Sequence, residues 1–519
     1  MLSGKNIIGF ETSSEGTVGI QAINPATGEP LGPLFFKATH SELEKAVIKA
    51  SEAFKTYRNF SGNKKAEFLE AIATEIEALG DTLLERYVAE SGLPTGRAQG
   101  ERGRTLSQLR LFAGYIKEGS WVNAIIDTPQ PDRQPLPKPD IRAMERPLGP
   151  VGVFGASNFP LAFSVAGGDT VSALAAGCPV VYKAHPSHLG TSELVGTAII
   201  EAAKKTGMPD GVFSLIIDDG VEIGQALVKH PQIKAIGFTG SYRGGKAIFD
   251  TAALRPEPIP VYAEMGSINP VFILPKTLKE KGEALTKAYL GSVTMGVGQF
   301  CTNPGLMVVQ KDDTFIENLK KETPKASGGI MLNRGIQAAY EKGIEQFSLG
   351  AEILSTGTQP EGFTAAKPMI FSTDYAGFTE NEHLKEEVFG PSSLVVNCQS
   401  KEEILKLANE LSGHLTASVF GTEEELTAYA DLLQILEQKV GRLIINAFPT
   451  GVEVTHAMVH GGPFPATTNS RSTSVGTLAI HRFTRPVCFQ DMPDSLLPDE
   501  LKTANPLNIW RKVDGEIRK

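Results

Sequence analysis

The stretch from Gly296 to Pro304, GVGQFCTNP, sets one cysteine among residues too small to bury it. Gly296 and Gly298 precede Cys301, and Thr302 and Asn303 follow it. Glycine lets the backbone bend and lets a second molecule come close. A thiol that can be reached and whose pKa is lowered is a nucleophile. Composition alone does not decide for chemistry here, because free cysteine is among the most buried residue types. The decision rests on polar groups elsewhere in the chain: Asn158, Lys183, Gly240, Ser241 and Glu264.

Those groups share a placement. From Pro147 onward, short apolar runs alternate with helical patterns. Strands are predicted at 151–154, 179–182, 213–217, 233–238 and 260–263, with helices near 164–176, 191–204, 221–229 and from Arg243. Such alternation predicts a mostly parallel sheet covered on both faces. Ligands of such sheets bind outside the carboxyl ends of the strands. Asn158, Lys183, Gly240–Ser241 and Glu264 each fall just after a predicted strand. An amide such as Asn158 can donate to a developing oxyanion. Glu264 becomes a base once a thiol or thioester is within reach. The turn Phe238-Thr239-Gly240-Ser241, with Gly244 and Gly245 behind it, suits a diphosphate at a helix N-terminus, although it lacks the G-x-G-x-x-G spacing.

A second alternating region follows, with strands at 270–274, 306–310, 417–420 and 442–445 and helices near 282–294, 401–411 and 423–438. Ahead of both lies a helical start. Ser41 with Glu44 reads as a capping box, and Gly92 reads as the stop of the third helix. A pattern over 101–116 puts Arg104 on one face with Gln108, Leu111 and Tyr115. An arginine of this kind becomes a carboxylate receptor if it points into a cleft. The proline-rich run DTPQPDRQPLPKP (127–139) reads as an extended arm, and the segment after Phe483 as a second arm or a disordered tail.

The totals exclude several classes. A chain of 519 residues is too long for one core. A hydrophobic content of 41% with 21% charged residues is that of a globular protein. The net charge of -9, with no basic stripe, leaves no footprint for nucleic acid. The most apolar region, 151–182, is broken by Asn158, Pro160, Gly167, Gly168 and Asp169, so no membrane span is expected. The first residues lack a basic segment and a continuous apolar run, which makes the cytoplasm the expected location. Cys178, Cys301, Cys398 and Cys488 lie far apart, and His185 and His188 lack a third ligand nearby; no disulfide framework and no metal site are expected.

Taken in order, Asn158-Phe159-Pro160, Lys183, Phe238-Thr239-Gly240-Ser241, Glu264-Met265-Gly266-Ser267-Ile268-Asn269-Pro270, Gly298-Gln299-Phe300-Cys301 and Glu387-Val388-Phe389-Gly390-Pro391 resemble the aldehyde dehydrogenase superfamily over about residues 22–489. The resemblance implies an α/β fold with two Rossmann-like parallel-sheet domains and a small oligomerisation arm. In these terms residues 1–126 and 148–264 would bind the dinucleotide, 265–482 would be catalytic, and 127–147 and 483–519 would form the arm and tail. It implies that Cys301 attacks an aldehyde carbon, that Asn158 and the Cys301 N–H hold the oxyanion, and that Glu264 activates water to hydrolyse the thioester. Lys183 would bind adenosine-ribose hydroxyls. Ser241, Gly240 and Gly245 would take the diphosphate, and Glu387 and Phe389 the nicotinamide ribose side. Homodimers or homotetramers are expected.

Departures from the family pattern narrow the resemblance. Pro186 stands where many NAD-preferring members carry a glutamate. With Lys183, His185 and His188 close by, NADP is favoured over NAD. Met265-Gly266-Ser267 and the run His460-Gly461-Gly462-Pro463-Phe464 resemble a branch that holds NADP-linked bacterial long-chain aldehyde dehydrogenases and dehydrogenases of 2,5-dioxopentanoate. The favoured expectation is 2,5-dioxopentanoate oxidised to 2-oxoglutarate, with Arg104 receiving the distal carboxylate and Phe159 and His460 lining the tunnel. The alternatives are a broad or fatty aldehyde dehydrogenase, and a catalytically silent cofactor-binding member.

Overall fold

The computed structural model describes residues 2–519. Two seven-stranded sheets carry the molecule. In the first, the order runs Val261–Glu264, Ala235–Thr239, Val151–Phe154, Val180–Ala184, Phe213–Ile217, Asn6–Ile8, Glu11–Ser13. The first five strands are parallel, and the two N-terminal ones close the edge as an antiparallel hairpin. The chain enters at the middle strand, Val151–Phe154, moves outward through Phe213–Ile217, and returns to its other side at Ala235–Thr239. That reversal is the crevice where open α/β sheets bind ligands. Register sharpens the point: Phe154 lies opposite both Lys183 and Phe238, and Thr239 lies opposite Glu264.

In the second sheet the order is Glu352–Thr356, Met369–Asp374, Ser392–Cys398, Leu306–Gln310, Val271–Ile273, His414–Phe420, Val440–Ile445. All but Glu352–Thr356 run parallel. Three of these strands, with the helices Asp313–Glu322 and Arg334–Gly350, lie between residues 311 and 400, where no elements were expected. Val440–Ile445 leaves one edge of this sheet without a partner strand.

Several expectations shift. The first helix, His40–Tyr57, is capped by Thr39 and Glu42, not by Ser41 and Glu44. Thr39 keeps the extended backbone a cap requires, and Glu42 reaches back to its N–H at 2.8 Å; Ser41 is already inside the first turn. The helix expected from Ser164 begins only at Gly168. The arm at 127–139 is the tip of a hairpin joining Ile125–Asp127 to Ile141–Pro147. The C-terminal segment is ordered: Thr484–Gln490 pairs with Ile141–Pro147, and Arg511–Val513 with Ile125–Asp127, completing a five-stranded sheet.

One crossing matters for the site. After Ile445 the chain returns to the first sheet, where Thr467 bridges Glu264 and the Met265 N–H donates to the Ala466 carbonyl at 2.8 Å. The turn Thr477–Phe483 then packs on the helix Gly168–Ala176, with Arg482 paired to Asp169 at 2.6 Å. This return carries His460 and Ser474 to Glu264.

Candidate active site

The Cys301 loop is a strained turn. Gly296, Val297 and Gly298 follow one another with φ of 55°, 61° and 65°. A β-branched residue in this region is a backbone outlier of the kind that clusters at functional sites and costs about 1–3 kcal/mol. Gly298 is required for a second reason: a Cβ there would collide with the Gly390 carbonyl. Asn269 then fixes the loop. Its side-chain amide donates to the Cys301 carbonyl at 2.8 Å and to that of Asn303 at 2.9 Å, while its oxygen accepts from Ser267 and Thr416.

The half-buried thiol of Cys301 lies 3.4 Å from His460 Nε2, and the same nitrogen lies 3.0 Å from Glu264 Oε1. Ser474 donates to the other carboxylate oxygen at 2.8 Å. Burial raises the Glu264 carboxyl, but the His460 ring and the hydrogen bonds from Ser474 and Cys301 outweigh it, and the group stays ionised more readily than usual. The thiol goes the other way. Burial and the adjacent Glu264 carboxylate hold it well above its ordinary value. The lowered thiol pKa expected from the sequence is therefore not the resting state: the site keeps a neutral thiol beside an ionised acceptor. His460 was expected in the substrate tunnel but is buried between thiol and carboxylate.

The expectation of no clustered ligands also fails in space, since Sγ, Nε2 and a carboxylate oxygen of Cys301, His460 and Glu264 lie within 4.8 Å of one another. Positions distant in the chain converge because the 446–466 segment crosses back. All three groups find a place in the acid–base chemistry of the thiol.

Asn158 is buried and donates one amide hydrogen to the Gln299 carbonyl at 3.0 Å, leaving its second hydrogen to give.

A cavity of about 670 Å³ reaches Cys301 and is walled by Arg97, Arg104, Phe159, Phe163 and Phe300. Arg104 Nη2 is buried there with no hydrogen-bond partner, its guanidinium 5.0 Å over the Phe163 ring. Desolvation lowers the Arg104 pKa from its usual value without removing the charge. An unpaired buried donor of this kind favours an anionic ligand. Arg97 is sandwiched between Phe159 and Phe300, at 4.4 and 4.6 Å, and donates to the Asn158 carbonyl at 3.4 Å. Glu101 holds the assembly: it takes Arg97 Nε at 3.3 Å, Tyr87 Oη at 2.6 Å and the N–H groups of Leu161 and Ala162. Arg97, Glu101 and Arg104 recur at helical spacing on Thr95–Glu118, which places them on one face.

A second cavity, about 850 Å³, opens at the switch point between the central strands. Ser157, His185, Pro186, Gly240, Ser241 and Arg334 lie on its wall. Ser241 caps the helix Tyr242–Ala253 by accepting the Gly244 N–H at 3.2 Å, so the remaining first-turn N–H groups face the opening with the positive end of the helix dipole. This donor set, with glycine where a side chain would intrude, fits a dinucleotide diphosphate. Gly245 lies apart from it, packed where a Cβ would meet Met265. Lys183 donates to the Asp218 carbonyl at 2.6 Å. His188 is buried, bonded to the Ala156 carbonyl and Ser192, and His185 stacks on it at 5.5 Å. Burial lowers both imidazole pKa values; it also lowers that of the Lys183 ammonium, against the attraction of Asp218 and Asp219. Glu387 accepts the Ser267 N–H at 3.3 Å and sits with Phe389 on the far side of Gly298.

Comparison with known proteins gives the family. The model of the Aldehyde dehydrogenase family matches residues 10–464. The chain belongs to the aldehyde dehydrogenase family. It is 49% identical to Alpha-ketoglutaric semialdehyde dehydrogenase 2 of Azospirillum brasilense, over 99% of both chains. It is 46% identical to Alpha-ketoglutaric semialdehyde dehydrogenase of Acinetobacter baylyi, again over 99% of both. Among solved structures, betaine aldehyde dehydrogenase of Staphylococcus aureus in complex with NAD+ superposes with a TM-score of 0.80 at 21% identity, covering 95% of this chain and 96% of that one. That likeness supports the aldehyde dehydrogenase fold. No helix among the described residues is long and apolar enough to cross a membrane.

For this aldehyde dehydrogenase the sequence named Cys301, Glu264, Asn158, Arg104 and Phe159; the structure lines one cavity with Cys301, Arg104 and Phe159, and ties Glu264 to the thiol through His460 and Asn158 to the Gln299 carbonyl. Ser474, Arg97 and Asn269 were missed. Asn269 carried a signal, since asparagine is enriched at positive φ and here has 44°. Ser474 carried none, because its partner lies 210 positions away.

Proposed function

We propose that the chain oxidises 2,5-dioxopentanoate to 2-oxoglutarate, with NADP favoured over NAD. The observation that carries this is Arg104, whose unpartnered guanidinium N–H lies in the same aromatic-walled cavity as the Cys301 thiol. A substrate with an aldehyde at one end and a carboxylate at the other pairs with both. The names of the two full-length relatives point to the same substrate.

The residues act in sequence. The thiol proton has an acceptor in Glu264, directly or through His460 Nε2, as Sγ bonds to the aldehyde carbon. The oxyanion of the thiohemiacetal is met by the free amide hydrogen of Asn158 and the Cys301 backbone N–H. The nicotinamide group supplies the hydride acceptor when it is bound. Once Glu264 has released the thiol proton to solvent, its carboxylate takes one from water, and the hydroxide displaces the thiolate from the thioester carbonyl as the free acid. Ser474 holds that carboxylate in place. Ser241 and the helix behind it would hold the diphosphate, Lys183 the adenosine ribose, and Glu387 with Phe389 the nicotinamide ribose. Pro186 presents no carboxylate to repel a 2′-phosphate, and Lys183 attracts one.

A homodimer or homotetramer is the proposed assembly, supported by the open edges at Val440–Ile445 and Thr484–Gln490. Residues 1–126 and 148–264 form the proposed dinucleotide unit and 265–482 the catalytic unit. The test of function is a panel of 2,5-dioxopentanoate, succinic semialdehyde, hexanal and dodecanal, each with NAD and NADP. The highest kcat/KM is expected for 2,5-dioxopentanoate with NADP. A preference for dodecanal would replace this reading with that of a fatty aldehyde dehydrogenase.

A further inference from the structure

A third cavity, about 640 Å³, lies away from the thiol, where the junction of the helices His40–Tyr57 and Gly62–Ala78 meets the five-stranded sheet and the C-terminal segment. Four cations face it: Arg58, Lys65, Arg146 and Arg485. Among the described residues none of them forms an ion pair. Arg58 stacks over Phe54 at 5.0 Å, Lys65 lies 5.7 Å from the Trp121 ring, and Arg146 reaches only the Asn59 amide oxygen at 3.3 Å. Of the three carboxylates on the same walls, Asp499 is already taken by Lys502 at 2.7 Å. Glu145 and Glu500 face four cations between them.

Lys65 is the least explained of these residues. It is 6% exposed, its ammonium makes no hydrogen bond among the described residues, and it lies in the first turn of a 17-residue helix capped by Ser61. The positive end of a helix dipole disfavours a cation there, and burial of an unpaired charge disfavours it again. Burial takes its ammonium down to about 8 despite the attraction of Glu500. A buried cation at a helix N-terminus, beside the half-buried Arg146 and the exposed Arg58, is what an anion would relieve.

We propose that this cavity binds a small oxyanion, either phosphate or the carboxylate of a small acid, held by Lys65, Arg58 and Arg146 at the N-terminus of the helix Gly62–Ala78. The site is separate from the aldehyde chemistry and does not depend on the assignment of substrate.

The test is thermal melting of the full chain with the dinucleotide site saturated with NADP, comparing sodium phosphate, sodium succinate and sodium chloride at equal ionic strength. Wild type is expected to melt a few degrees higher in phosphate or succinate than in chloride, and the better of the two identifies the ligand. Lys65→Met, close to isosteric, is expected to melt in chloride at least as high as wild type, to lose the oxyanion increment, and to keep kcat. Arg58→Gln is expected to reduce the increment. An unchanged increment in Lys65→Met, or no increment in wild type, overturns the proposal. So does a change of oligomeric state in Lys65→Met, measured by light scattering, because it would put a second chain's carboxylate in the cavity.

Discussion

The two seven-stranded sheets are each built on a run of parallel strands and differ in what they contribute. The first presents functional groups at the carboxyl ends of successive strands: Asn158 after Val151–Phe154, Lys183 within Val180–Ala184, Ser241 after Ala235–Thr239, and Glu264 closing Val261–Glu264. The second contributes from the opposite ends of its strands: Cys301 from the turn that precedes Leu306–Gln310, and Glu387 and Phe389 from the segment that precedes Ser392–Cys398. One sheet lays polar groups along its strand ends, and the other brings its groups in on loops ahead of its strands. The contrast teaches that the fold supplies positions and the loops supply the chemistry.

Breaking the contribution of the second sheet has the largest expected effect. Cys301→Ser replaces a polarisable thiol by a hydroxyl in a pocket that already disfavours ionisation, and kcat is expected to fall by at least about 10³-fold with aldehyde binding retained. A rate within tenfold of wild type in a steady-state assay would remove the thiol from the mechanism. Breaking the first sheet's contribution at Glu264 gives a different signature. Glu264→Gln keeps shape and burial but cannot take a proton from water. Reduced cofactor is expected to appear in a burst of about one equivalent per site, followed by turnover slowed about 10²–10⁴-fold. A missing burst would show that the variant loses the thiol deprotonation that Glu264 also serves, ahead of the thioester. The smallest effect is at the cofactor rim. Pro186→Glu returns a carboxylate to the ribose end and is expected to shift the ratio of kcat/KM for NADP over NAD by about tenfold toward NAD, through repulsion alone. An unchanged ratio would show that Pro186 takes no part in the choice.

The same contrast explains what could be read from the chain. Alternating strands and helices over 147–264 made the first sheet legible, and its polar strand ends pointed to a site before any geometry was known. The second sheet was half visible. Its strands Met369–Asp374 and Ser392–Cys398 are short buried runs without alternation, and only pairing through Leu306–Gln310 makes them a sheet. Within the site, groups held by local geometry were legible and groups held by the return crossing were not. His460 was named but misplaced, since its position depends on Met265 pairing with Ala466. The thiol pKa was misjudged for a related reason. Small neighbours at 296–303 suggested access, whereas Glu264 and the loss of water around the sulfur set the resting protonation. Arg97 lies outside the pattern expected over 101–116, which begins nearly two turns too late, the helix starting at Thr95.

The central claim is that Arg104 selects the substrate while Cys301 and Glu264 perform the reaction. The most direct test measures kcat/KM for 2,5-dioxopentanoate and for propanal with wild type and with Arg104→Met. Loss of a charged hydrogen-bond partner for the carboxylate is expected to reduce kcat/KM on 2,5-dioxopentanoate by about 10–100-fold and to leave propanal within about twofold. Equal losses on both aldehydes, or none on either, would contradict the account.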